Sequence, residues 1–253
     1  MNVSPKNSEG RARSPNAPPQ RSPAVFVVGL LTLVALWLPP LPCTVHAADL
    51  PKPLFDLLHA IRSIKPDESW RLRWDYFVIP PLFIYALWVT WKSRVSLAES
   101  GLGFRHFIGA LRQLALPTLV GAAILLAVGC ACHSLSISDR FWKRLNPLSG
   151  LVQQMAIQLF FHRQLMPWFG SGRKTAWILA IFFAALHAPN PALMIGTLCG
   201  MYFWARAYQK APNLYAIAIS HALLSALLMH TMPRSFMPSV SVGHRYIEKV
   251  WGF

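Results

Sequence analysis

The sequence predicts an all-α fold, a transmembrane bundle of six or seven spans, and three observations carry that prediction. Hydrophobic residues make up 54% of the 253 positions and charged residues 13%, a balance too apolar for a soluble domain of this length. Several apolar windows reach or approach the ~20 residues that a helix needs to cross a hydrocarbon core of about 30 Å. The alternation of apolar and polar residues that marks a membrane barrel does not run through the chain.

Charge fits the same solvent. Twenty-four Lys and Arg against nine Asp and Glu give a formal +15, which in a soluble protein would point to nucleic acid. Here the basic residues flank apolar runs, as at Lys92, Arg94, Arg105 and Arg112, or Arg173 and Lys174. That is how orientation is specified in a bilayer, and anionic headgroups are a sufficient partner. No nucleic-acid role is expected. Cys43, Cys130, Cys132 and Cys199 have neither zinc spacing nor a disulfide framework and read as packing residues.

Residues 1–22 are rich in Ser, Pro, Asn and Arg and have too little to bury to repay ordering, so a disordered basic tail is expected. The apolar run 24–38 follows basic residues and precedes Val45-His46-Ala47. It fits a signal peptide, or an uncleaved first helix extending to about residue 45. Residues 46–74 place Leu54, Leu57, Leu58 and Ile61 at helical spacing among charges and read as a short interfacial helix. A second span is expected over 76–91, kinked at Pro80 and Pro81 with Trp88 and Trp91 near the headgroups. A third covers 114–132.

Four further apolar segments follow, at 148–168, 174–187, 191–208 and 214–230, ahead of a C-terminal tail at 231–253. They carry Gln153, Gln154, Gln158, Arg163, His187 and His221, polar groups that are costly against lipid and should turn toward a shared interior. Lysine and arginine placement puts the N-terminus and the loops at 92–112, 169–175 and 209–213 in the cytoplasm. At 1.5 Å rise per residue, Gln158 and His187 each lie ~15 Å from the loop near 170, and His221 lies ~12 Å from the loop at 213. Three helices can thus bring a glutamine and two histidines to one depth. Interhelical hydrogen bonding alone would also explain such residues.

The order of these residues resembles a known family. Gln158-Leu159-Phe160-Phe161-His162-Arg163 is similar to the E-E-x-x-x-R motif of the CPBP intramembrane proteases, also called the CAAX-processing or Abi family. Phe183-Ala184-Ala185-Leu186-His187 matches F-x-x-x-H, and His221-Ala222-Leu223-Leu224-Ser225 resembles H-x-x-x-N. The resemblance covers about 148–230, a four-helix core preceded by the N-terminal region 23–147. It implies an intramembrane endopeptidase in which the first glutamate activates water, while the histidines and asparagine polarise the peptide and hold the oxyanion. This chain has Gln158 at the base position, Leu159 at the second glutamate and Ser225 at the asparagine.

An amide orients water but cannot take its proton, so either a histidine serves as base or hydrolysis is lost. The resemblance implies His187 and His221 as the principal site residues, with Gln158 orienting water or substrate, Arg163 fixing the helix end and Ser225 donating. The expected partners are the lipid bilayer and a membrane-associated peptide or protein. The expected location is a bacterial inner or plasma membrane. No cofactor is expected: zinc wants three ligands, and beyond the two histidines only His162, His230 or Cys199 could add one. The rival reading is a non-catalytic binding, chaperone or immunity protein of the same fold. A small transporter finds no internal repeat to support it.

Overall fold

The computed structural model describes residues 21–62, 69–71, 73–93, 96–136, 141–142 and 145–252. Almost all of the expected disordered tail lies outside them, as do Asp67, Glu68, Arg94 and the charged residues 139, 140, 143 and 144.

Helix α1 spans Ala24–Trp37 and stops at Leu38, which is extended because Pro39 follows it and disfavours the helical region. The helix therefore does not continue to residue 45. That position lies in strand β1, Thr44–His46, paired antiparallel with β2, Ser69–Arg71, in the register Val45↔Trp70. This ribbon of two three-residue strands is a local addition to a predominantly helical chain. Helix α2, Lys52–Arg62, occupies the expected interfacial segment. Helix α3, Trp74–Lys92, runs with Pro80 and Pro81 inside it.

A short α4, Leu97–Ser100, is started by a reciprocal cap. The Ser96 hydroxyl accepts from the Glu99 N–H at 3.2 Å, and the Glu99 carboxylate accepts from the Ser96 N–H at 3.2 Å. These bonds to Ser96 hold the Glu99 carboxyl below its ordinary value. Helix α5, Phe107–Ala131, begins before the expected residue 114. Only 17% of its most apolar window is buried, and a helix so apolar and so bare calls for lipid as its cover.

The second half comprises α6, Pro147–Gln154, a π-helical stretch Met155–His162, and α7, Arg163–Phe169, running without a break. Then come α8, Arg173–Ala185, α9, Pro191–Lys210, α10, Leu214–Thr231, and α11, His244–Trp251. The helices from α6 to α10 fall on the four apolar segments read from the sequence, except that α8 stops at Ala185, and α11 lies in the C-terminal tail. Asparagines start three of them: Asn146, Asn190 and Asn213 accept from the Leu148, Leu193 and Ala216 amides, satisfying N–H groups that a helix start leaves open.

Helix α10 packs against α5 and α6, α9 against α5 and α8, and the π stretch against α3 and α8, while α1 lies on α3 and α11. Small residues let α5 and α10 approach. A Cβ on Gly129 would stand 2.9 Å from the Thr231 Cβ, and one on Gly121 would stand 3.2 Å from Leu224, the close backbone contact typical of membrane helices. Among the described residues, Phe107–Ala131 and Leu214–Thr231 are long and apolar enough to cross a membrane, and Ala24–Trp37 and Phe77–Lys92 are shorter apolar helices. The larger number of six or seven is not met by that criterion.

Candidate active site

Between α5, α6, α9 and α10 lies a cavity of about 830 Å³, walled also by Val240 and Val242 of the C-terminal segment. Most of its lining is apolar. Its polar side chains include His187, His221, Ser225 and Gln153.

Glycine at position 200 shapes one wall, because a Cβ there would stand 2.9 Å from the Trp204 ring. The indole can therefore lie across its own helix, donate to the Ser220 hydroxyl at 3.0 Å and face the His221 ring with centroids 4.5 Å apart. Ser220 in turn shares a 2.7 Å hydrogen bond with Thr118 of α5. Trp204, Ser220 and Thr118 together tie three helices beside His221.

His187 sits where the sequence did not put it. Helix α8 ends at Ala185, and His187 lies in the turn that leads through the cis Ala188–Pro189 bond to α9. Its Nδ1–H donates to the Phe183 carbonyl at 2.7 Å. The amides of Leu186, His187 and Ala188 donate to Phe182, Ala184 and Ala185, so the imidazole completes the set of carbonyls that a helix end leaves open. Residues beyond the motif segments hold this turn in place. Asn190 donates to the Ser239 and Ser241 carbonyls at 2.7 and 3.2 Å, and the Gly243 N–H donates to the Ala188 carbonyl at 2.7 Å.

His221 is 6% exposed and lies one helical turn before Ser225 on α10, so both reach the cavity. The Phe183 ring packs on both histidines, 4.8 Å from His187 and 6.5 Å from His221 by centroids.

Gln158 departs from the expected arrangement. It is fully buried and is not among the residues lining the cavity. It lies in a row of buried polar groups behind His221: Gln154 Nε2 is 3.4 Å from His221 Nδ1, Gln158 Nε2 is 3.1 Å from Gln154 Oε1, and His162 Nδ1 is 2.6 Å from Gln158 Oε1. Gln209 Nε2 continues the row at 2.9 Å from His162 Nε2. The three residues on the α6–π segment are four apart and so share its face. Gln209 of α9 was not among the sequence candidates, since nothing in its spacing points to His162. Leu159, at the second glutamate position, is 4% exposed and belongs to the apolar core.

Arg163 stays away from the cavity and donates to the Glu99 carbonyl at 3.2 Å. Beside it the Tyr208 hydroxyl donates to the Ser100 carbonyl and the Leu214 N–H to that of Gly101. The guanidinium thus pins α4 and the loop after it rather than facing the histidines. Among the described residues, no three of His, Cys, Asp and Glu converge as a metal-ligand group.

Residues 141–227 match the family model described as Type II CAAX prenyl endopeptidase Rce1-like. That stretch contains all three motifs, and the resemblance read from them is shown over it. No curated protein and no solved structure matches the chain.

Proposed function

We propose, on the premise of the CAAX-endopeptidase match over residues 141–227, that the protein is an intramembrane endopeptidase. It cuts a peptide or protein that enters the cavity from the bilayer. The observation that carries this reading is the placement of two imidazoles and a hydroxyl on one cavity, with the His187 ring edge assigned by its partner. A carbonyl only accepts, so the Phe183 oxygen requires the His187 hydrogen on Nδ1 and leaves Nε2 of the neutral ring with a lone pair.

His187 is then the base. Its Nε2 takes a proton from water as the water oxygen attacks the scissile carbonyl carbon, and returns that proton to the departing amine. His221 and the Ser225 hydroxyl serve as donors to the oxyanion formed on the same carbonyl. Gln158 acts from behind His221 and Arg163 from the membrane edge, neither touching the substrate. The apolar lining suits a substrate segment that resides in lipid.

In the topology we propose, six or seven segments span an inner or plasma membrane, counting the short α1 and α8, with the N-terminus cytoplasmic. The burial of Gln158 away from the cavity favours a second reading, a binding protein that holds a membrane peptide without cutting it. Incubating the purified protein in lipid nanodiscs with membrane-tethered peptides, followed by mass spectrometry, separates the two. Cleavage by wild type that is lost in His221→Ala supports the peptidase; retention of peptide with no cleavage product leaves the binding protein.

A further inference from the structure

The buried row behind His221 has a direction, fixed at its far end. Arg206 NH1 lies 2.5 Å from Gln209 Oε1, and a guanidinium donates only, so that atom of Gln209 is its oxygen and Nε2 faces the other way. Gln209 Nε2 donates both to the Gly172 carbonyl at 3.1 Å and to His162 Nε2. His162 Nε2 must therefore be the unprotonated nitrogen and Nδ1 must carry the hydrogen, which goes to Gln158 Oε1. Gln158 then presents its amide nitrogen to Gln154 Oε1, with Met201 Sδ at 3.6 Å as the second acceptor. Gln154 is left with its N–H pointing at His221 Nδ1. Every donor along the row points the same way.

That direction decides a choice at His221. Its Nδ1 edge faces Gln154 and also lies beside Gly150 of α6, where a Cβ would stand 3.6 Å from Nδ1, so the Gly150 backbone carbonyl is the alternative acceptor at that edge. Toward Gly150 the ring would use an Nδ1–H; toward a Gln154 N–H it must offer a lone pair.

We infer that Gln154, Gln158, His162, Gln209 and Arg206 form a polarised hydrogen-bond relay that holds His221 as the Nε2–H tautomer, so that its remaining edge is a donor. These are positioning residues, and the inference rests on the proposed peptidase only for what the donor is used for. An amide at position 158 suits the relay, because it accepts from one neighbour and donates to the next. A carboxylate at that position would accept from both sides and break the direction.

The test reads the tautomer itself. Ring-nitrogen NMR of ¹⁵N-histidine-labelled protein in nanodiscs, with the His221 signal assigned by its loss in His221→Ala, separates the Nε2–H from the Nδ1–H form. Wild type is expected to show Nε2–H. Gln154→Leu removes the donor and should switch His221 to Nδ1–H, bonded to the Gly150 carbonyl. Gln158→Leu leaves Gln154 free to turn its oxygen toward His221 and should shift the ring the same way, which covers the case of one variant failing to fold. Wild type in the Nδ1–H form, or both variants keeping Nε2–H, overturns the relay. Absence of cleavage by a wild type that shows Nε2–H would instead sink the peptidase reading and leave the relay standing.

Discussion

Replacing His187 by alanine separates chemistry from packing, because the side chain has two separable jobs. Its Nδ1–H closes the Phe183 carbonyl at the end of α8, and leaving that carbonyl unpaired costs about 1–3 kcal/mol. Against a folding stability of at least ~5 kcal/mol, that loss leaves ~2 kcal/mol or more and an unfolded fraction of at most about 4%, too small to account for a large fall in activity. Loss of a general base lowers the rate ~10²- to 10⁴-fold, equivalent to roughly 2.7–5.4 kcal/mol of barrier. Single-turnover cleavage of a membrane-tethered peptide, run beside a thermal melt, should thus show a collapse of rate with a modest drop in melting temperature. If the rate falls less than twofold while the melting temperature drops as expected, His187 is only a helix cap and the base must be sought elsewhere.

Gln158→Glu is expected to lower the melting temperature without raising cleavage, since a carboxylate there would face the Gln154 oxygen and an unmatched buried polar group costs about 1–3 kcal/mol; a gain in cleavage would show that this side chain reaches the reacting water. Elemental analysis of purified protein should find no stoichiometric zinc, because two cavity imidazoles fall short of the three ligands a catalytic zinc takes; one equivalent of zinc that disappears in His187→Ala would make the imidazoles ligands instead. Asn190→Ala removes the cap of α9 and both bonds to the 239–241 carbonyls, with the cap alone worth about 0.5–2 kcal/mol. Faster amide exchange over 236–243 is expected, and unchanged exchange there would mean that this asparagine does not hold the segment.

The apolar segments were legible because their ends are written in short-range chemistry. Asn146-Pro147, Asn190-Pro191 and Asn213 mark helix starts by side-chain capping and proline placement, and the helices begin there. The four-residue spacing of Gln154 and Gln158 puts them on one helix face, where they bond. The sequence predicts a helix through His187 because Leu186 and Ala188 are as apolar as what precedes them; the break comes from Pro189 and from Asn190 starting a new helix. The offset of Gln158 from the cavity was not readable, since a run of apolar residues gives no sign of whether a helix is wound as α or π. Gln209 and Met201 meet Gln158 and His162 only through the rotation of α9 against the π stretch, which no pattern within either segment specifies. The β1–β2 ribbon rests on three-residue strands far apart in sequence, too short for alternation to register.

Val240 and Val242 form part of the cavity wall, and they lie beyond the stretch that matches the endopeptidase family. The segment bearing them is fastened through its backbone, by the Ser239 and Ser241 carbonyls and the Gly243 amide, and by Met237 and Val242 packing beside Leu193. The chamber is thus shaped in part by a segment outside the stretch that carries its histidines, together with α5, α9 and α10. Substitution of Val240 or Val242 therefore changes the size or polarity of the chamber while leaving His187 and His221 in place.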